Sequence, residues 1–262
     1  YAFLGAGKMA MALIQGVLRA NLCAASEITV SGRSKSSLES LVSLTGVHAA
    51  SSNAEAVSEA ETVLLCVKPS DALKALEQSG ETLQGRLLVS VVTGLKIATL
   101  RAASGCRVIR AMPNTAAMVG RSATAIATEN DVSREDVEVV ENIFNSVGQV
   151  FTIGEDLLDA VTGLSGSGPA FVYLVIEALS DGGLAAGLPR KQALNLAIQT
   201  VAGAAEMAAS TNEHPALLRE MVASPGGTTI AGLAVLEGAA VRSAFINAVK
   251  AAAARSKELS GN

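Results

Sequence analysis

The eight residues Phe3–Ala10, FLGAGKMA, decide the fold. They give Gly5-x-Gly7-x-x-Ala10 directly after a short apolar run and at the start of a helical pattern. Gly5 permits a tight turn, Gly7 lets the backbone approach a pyrophosphate, and small Ala10 lets helix and strand pack closely. The helix then offers free N–H groups and a partial positive charge to phosphates. This spacing alone is weak evidence. It gains weight here because it opens a strand–helix series, which is the context a dinucleotide fingerprint requires.

Apolar runs predict strands at Tyr1–Leu4, Ile28–Ser31, Val47–Ala49, Thr62–Val67, Leu87–Val92, Val108–Ala111, Ser122–Thr128 and Gln149–Ile153. Helices are predicted between them at Met9–Ala20, Ser36–Leu44, Asn53–Glu59, Ser70–Gln78 and Ile97–Ala103. A further charged helix follows Ser133, whose hydroxyl suits an N-cap and whose next residues include acids that suit the helix dipole. Such alternation predicts an α/β domain built on a parallel sheet covered on both faces, a Rossmann-like arrangement.

Strand C-terminal ends in such a sheet face the ligand crevice. The second strand ends ITVSGRSKSS (Ile28–Ser37), with no acid for a ribose 2′-OH but with Ser31, Arg33, Ser34 and Lys35. A guanidinium flanked by hydroxyls suits a 2′-phosphate, so NADPH is favoured over NADH, with NADH use left possible. The candidate cofactor contacts are Gly5, Ala6, Gly7, Lys8 and Met9 of the fingerprint, then Ser31, Arg33 and Ser34. Asn53 follows at the head of the third helix, then Cys66, Val67, Lys68 and Pro69 at the end of the fourth strand. Thr93, in SVVTGL, and Asn114, in RAMPNTAAMVG, complete the same rim, with Asn114 on the nicotinamide side.

After about Ile153 strand patterns stop and Ala, Leu and Glu dominate at helical spacing. The expected division is therefore a cofactor domain, 1–153, and an all-α domain, 154–262. The chain has 262 residues, half of them hydrophobic and 17% charged, against about 25% in ordinary soluble domains. The apolar excess lies in the second half, whose small residues make a thin core alone, so that half is expected to pair with a second copy. A membrane is not the expected partner. The charge-free stretch Thr162–Ile176 is broken by Gly163, Gly166, Gly168 and Pro169, and is shorter than the roughly 20 residues a span needs.

Net charge is −4 with scattered basic residues, which argues against nucleic acid. Cys23, Cys66 and Cys106 lack CxxC spacing and read as reduced thiols of a cytoplasmic protein, with no metal site expected. His48 and His214 are the only histidines, which strains any mechanism built on a His-containing triad. No signal peptide is expected, because YAFLGAGK is too short for an apolar h-region, and a few residues are expected to precede it.

One stretch of the helical half looks out of place. SPGGTT, Ser224–Thr229, interrupts alanine-rich helix with a proline and two glycines. A helix–helix corner with a threonine N-cap is one account of it. An anion-binding helix start is the other.

FLGAGKMA, VKP, MPNT, LSGSGPAF and SPGGTT occur in that order. Together they resemble the pyrroline-5-carboxylate reductases over essentially the whole chain. The LSGSGPAF and SPGGTT pair is far more specific than the glycine fingerprint. The resemblance implies hydride transfer from NADPH to the C=N carbon of 1-pyrroline-5-carboxylate, the last step of proline synthesis. It implies helical dimers, often assembled into rings. That substrate needs its carboxylate held and its ring nitrogen hydrogen-bonded. SPGGTT suits the carboxylate through the Gly227, Thr228 and Thr229 N–H groups and the Ser224 hydroxyl. By resemblance, the Thr229 hydroxyl serves the nitrogen and is the candidate catalytic group. Two departures stand out: Ala116 replaces the proline that usually follows MPNT, and Arg121 stands where small or acidic residues are usual.

Other readings are a related imine or hydroxyacid oxidoreductase and a non-catalytic NADP-sensing module. Hydroxyacid dehydrogenases resemble Gly-x-x-Gly-x-Gly-x-x-x-Lys at the start of their helical domain. Here Gly163, Gly166 and Gly168 are followed by Val172 in the lysine's place. Oxidising an alcohol needs a group to take its proton, and valine cannot do so.

Overall fold

The first apolar run folds as β1 (Ala2–Leu4), buried throughout, and a sheet of eight strands grows outward from it. The computed structural model describes residues 1–260. In chain order the first half contains β1, α1 (Lys8–Arg19), β2 (Thr29–Ser31), α2 (Lys35–Thr45), β3 (His48–Ala49), α3 (Asn53–Val57), β4 (Thr62–Leu65) and α4 (Ala72–Glu77). It continues with β5 (Leu87–Ser90), α5 (Ile97–Ser104), β6 (Arg107–Met112), β7 (Ser122–Thr128), α6 (Arg134–Asn145) and β8 (Gly148–Thr152). Every strand read from the sequence is present.

The strand order is β3-β2-β1-β4-β5-β6-β7-β8. Strands β1 to β6 pair in parallel, and the order reverses between β1 and β4, the switch point at which such sheets bind ligands. The expected all-parallel sheet needs one correction. β7 runs antiparallel to β6, with Met112 opposite Ala125. The connection 113–121 is too short for a parallel crossover, which takes about a dozen residues or more. β8 then returns parallel to β7 through α6, whose N-terminus carries the expected cap: Ser133 Oγ accepts from the Asp136 N–H.

Side chains alternate across the sheet and fill two cores. Phe3, Leu64, Val89 and Ile109 face α1 and α6, where Leu13, Ile14, Ile143 and Phe144 are fully buried. Ala2, Leu4, Val63, Leu65 and Leu88 face α3, α4 and α5. Period-two alternation with both faces apolar is what a doubly covered sheet requires. β4 and β5 end at Leu65 and Ser90, earlier than expected. The last ladder bonds, Cys66 N–H to Leu4 O and Val91 N–H to Leu65 O, are made just there, and the chain then turns out toward the crevice.

Beyond β8 come α7 (Leu158–Val161), one π-helical turn (Thr162–Gly166), α8 (Gly168–Ala185), α9 (Arg190–Thr211), α10 (Pro215–Met221), α11 (Thr228–Gly238) and α12 (Val241–Leu259). By contacts, Tyr1–Ser167 and the stretch from Lys250 onward form one unit, and Gly168–Val249 forms a second. The contact boundary falls later than the composition shift at Ile153. Leu158 and Val161 pack on Met112, Ala125 and Ala127 of the sheet, and Ser256 Oγ donates to Asp159 Oδ1 at 2.6 Å. Within Gly168–Val249, the only buried residues among those described are Ser180, Ala193 and Ala197. α8 and α9 approach closely: a Cβ on Gly183 would meet the Ala193 Cβ at 3.2 Å. Leu174, Met221 and Val235 remain exposed at 64, 72 and 71%. No single helix among the described residues is long and apolar enough to cross a membrane.

Candidate active site

The fingerprint turn is built as its glycines require. Gly5 has φ +114°, and a Cβ there would lie 2.5 Å from the Cys66 carbonyl oxygen. Gly7 differs: its φ is −85°, and a Cβ would meet nothing within 4 Å. Gly5 is thus demanded by the fold. Gly7 leaves an open approach to the N-terminus of α1, which has neither a side-chain cap nor an acid in its first turn. The N–H groups of that turn have no intrahelical partner and face the opening. Lys8 and Met9 start this helix. A cleft of about 470 Å³ opens beside it, lined by Ala6, Gly7, Lys8, Met11, Ser37 and Met118 among others. Open backbone, uncapped N–H groups and serine hydroxyls fit a dinucleotide's phosphates.

The predicted contacts after β2 and β4 divide into neutral and charged groups. Ser31 is buried and its Oγ donates to Asn53 Oδ1 at 2.7 Å. Asn53 Nδ2 donates to the Ala75 carbonyl and to Gln78 Oε1. The structure therefore brings Ser31 and Asn53 together. Ser34 caps α2, accepting from the Ser37 N–H, among further hydroxyls at Ser36 and Ser37. Arg33 extends to Asp71, with Nη2 to Oδ2 at 2.5 Å. Asp71 was not among the predicted site residues. An acid two positions beyond Pro69 on the same rim was the signal for it.

Pro69 opens a 3₁₀ turn, Pro69–Asp71, with exposed Lys68 as its N-cap residue. Val67 packs on the α4–α5 core. Burial pushes the Cys66 thiol up to about 12, so it stays neutral while its carbonyl lies against Gly5. Thr93 is half-buried in the turn between β5 and α5.

Asn114 links two motifs far apart in sequence. Its Oδ1 accepts from the Ala116 N–H at 3.1 Å, and its Nδ2 donates to the Ser165 carbonyl at 3.1 Å. Ser165 lies in the π-helical turn Thr162–Gly166, into which the start of LSGSGPAF falls, a distortion frequent at functional sites. The Ala116 departure now has a physical account. A proline at 116 would have no N–H to give to Asn114.

SPGGTT folds as an uncapped helix start. Gly226 has φ +69°, and Gly227 is the N-cap residue of α11, with its N–H bonded to the Ser224 carbonyl. No side chain caps this helix and no acid stands in its first turn. Thr229 is half-buried, whereas Ser224 and Thr228 are exposed. The threonine N-cap of the corner reading is absent, because glycine holds that position. His214 serves its own helix, since its Nδ1 accepts from the Ala216 N–H and caps α10.

A family model described as pyrroline-5-carboxylate reductase dimerisation matches residues 155–259, and one described as NADP oxidoreductase coenzyme F420-dependent matches residues 1–94. The pyrroline-5-carboxylate reductase of Arabidopsis thaliana is 45% identical, over 98% of this chain and 94% of its own length. That of Methanosarcina acetivorans is 44% identical, over 98% and 96%. The chain belongs to the pyrroline-5-carboxylate reductase family. A solved family structure from Coxiella burnetii superposes with a TM-score of 0.93 at 35% identity, covering 98% of this chain and 97% of that one. The Plasmodium falciparum pyrroline carboxylate reductase, solved with NADP bound, gives 0.89 at 34%, with the same coverages.

For this reductase the dimerisation match explains the bare helical unit. The region with almost no buried core of its own, Gly168–Val249, lies inside the segment matched to a dimerisation domain. Its apolar surface is thus surface for self-association.

Proposed function

We propose that this chain reduces 1-pyrroline-5-carboxylate to L-proline with NADPH, with NADH as the weaker alternative. One observation carries the reading. A chain with a dinucleotide fold also holds, in SPGGTT, a helix start with glycine at the N-cap, Gly227, set up by positive-φ Gly226 and with no acid in its first turn. A reductase of a cyclic imino acid needs such a place for the substrate's carboxylate.

Bound NADPH supplies the hydride that the imine carbon accepts. The chain's residues do the rest. The α1 N-terminus and Gly7 hold the pyrophosphate, and Arg33 with Ser34 holds the 2′-phosphate. Ser31, Asn53 and the rim from Cys66 to Pro69 border the adenosine side, and Thr93 and Asn114 border the nicotinamide. The N–H groups of Thr228 and Thr229, with the Ser224 hydroxyl, hold the carboxylate; the Gly227 N–H, expected to join them, is already bonded to the Ser224 carbonyl. The Thr229 hydroxyl hydrogen-bonds the ring nitrogen. Protonated nitrogen makes the carbon electrophilic, and after hydride transfer it remains as the amine of proline. No strong base is needed.

The work divides between a cofactor domain, 1–153, and a helical domain, 154–262. Assembly beyond the dimer into rings and a cytoplasmic location complete the proposal. The test is direct. The protein is mixed with NADPH and 1-pyrroline-5-carboxylate, and the absorbance of the reduced cofactor is followed. Consumption with formation of proline is expected. Intact cofactor binding without consumption would overturn the reading.

A further inference from the structure

The cofactor reading leaves one charged group unaccounted for. Asp71 stands in the turn after β4, 20% exposed, and its carboxylate takes the Arg33 guanidinium. Arg33 is the cation at the end of β2 that the 2′-phosphate reading relies on. Its side chain is 76% exposed, so little packing fixes it there. Two neutral groups beside it are already joined, Ser31 to Asn53 and Asn53 to Gln78. Asp71 is thus an anion held against the group that has to receive another anion.

We infer that Asp71 is a specificity-determining residue for the cofactor's 2′ substituent, competing with the 2′-phosphate for Arg33. The inference rests on the NADPH reading above and adds to it what limits that preference. Three physical effects act in one direction. A 2′-phosphate has to displace Asp71 or share Arg33 with it, and the exposed ion pair resists displacement only weakly. Phosphate carries about −1.5 to −2 charge at neutral pH and is repelled by the carboxylate at short range. The unphosphorylated cofactor suffers neither effect. Moreover, a carboxylate at this end of a dinucleotide site is the group that accepts a ribose 2′-OH. Asp71 supplies it from the β4 side instead of the end of β2.

The test uses the whole protein and both cofactors. Dissociation constants for NADPH and NADH are measured by fluorescence for wild type, Asp71→Asn, and Arg33→Ala with and without Asp71→Asn. Asp71→Asn keeps the side chain's size and removes its charge. The ratio Kd(NADH)/Kd(NADPH) is expected to rise about three- to tenfold, from one unit of repulsion removed at several ångströms in a high effective dielectric. The rise should shrink at high salt. It should also be smaller in the Arg33→Ala background, where no guanidinium remains to be freed. A merely structural role for Asp71 would alter both constants together and leave the ratio in place. An unchanged ratio, or weaker NADPH binding in Asp71→Asn, would overturn the assignment while the cofactor reading stands. Binding of neither dinucleotide by the wild-type chain would overturn the cofactor reading, and this assignment with it.

Discussion

A Cβ on Gly5 would lie 2.5 Å from the Cys66 carbonyl oxygen, and that distance separates the roles of the two fingerprint glycines. Gly5 sits at φ +114° against the backbone of the next strand, whereas Gly7 has an ordinary φ and open space. Gly5→Ala should therefore cost about 2 kcal/mol or more of stability, from a non-glycine in a disfavoured region plus a backbone clash. Gly7→Ala should cost about 0.5 kcal/mol, the usual gap between glycine and alanine at an N-cap, yet weaken NADPH binding because the new methyl occupies the phosphate approach. Urea denaturation and cofactor titration of the two variants check this. Equal stability losses would contradict the separation of roles.

Arg33→Ala should weaken NADPH binding about tenfold or more and NADH binding far less, because a charge-assisted hydrogen bond contributes about 1.5–3 kcal/mol. Dissociation constants for the two cofactors, measured by fluorescence titration, read this directly. Equal effects on both would remove Arg33 from the 2′ position.

Cys66 should make the protein alkali-sensitive. Burial holds its thiol protonated up to about pH 12 in the folded chain, against an ordinary value of 9.0. The unfolded chain releases that proton first as pH rises. The stabilisation from a neutral buried thiol is therefore complete below about pH 9 and is lost progressively between 9 and 12. Cys66→Ala should show a shallower fall in stability over that window than the wild type, measured by denaturant melts at several pH values. Identical slopes would place the alkaline sensitivity elsewhere.

Thr229→Ala should lower kcat about ten- to 150-fold, the worth of one hydrogen bond to a charged partner, with cofactor affinity nearly intact. Thr229→Ser keeps the hydroxyl and should recover most of the rate. If serine fails to rescue, the hydroxyl is not the working group.

Most of the cofactor fold was legible because it rests on local rules. Alternating apolar runs, Gly5 and the Ser133 cap each carry their structure within a few residues. The antiparallel β7 escaped the parallel expectation, and the short connection 113–121 is the one local signal for it. Pairings between distant segments were not legible. Asp71 reaches Arg33, Asn114 reaches Ser165, and Ser256 reaches Asp159, and no local pattern encodes such meetings. The role proposed for SPGGTT comes only through resemblance, because two glycines before a helix suit a corner as well as an anion site. The structure narrows this by putting Gly227, and no capping side chain, at the helix start.

The helical unit should be unable to stand alone in water. α8 runs Gly168–Ala185 with Ser180 its one buried residue among those described, while Leu174 is 64% exposed. Apolar area contributes about 25 cal/mol per Å² only when removed from water, so this unit gains its stability on pairing. Light scattering should give at least a dimer. Leu174→Glu should shift the mass toward the monomer and lower the melting temperature, because a carboxylate buried in an apolar interface is costly without a partner. Raising the protein concentration should restore both mass and melting temperature, as mass action demands of a stability that depends on association. A wild-type chain that is monomeric and fully folded at micromolar concentration would contradict the role given to these exposed side chains.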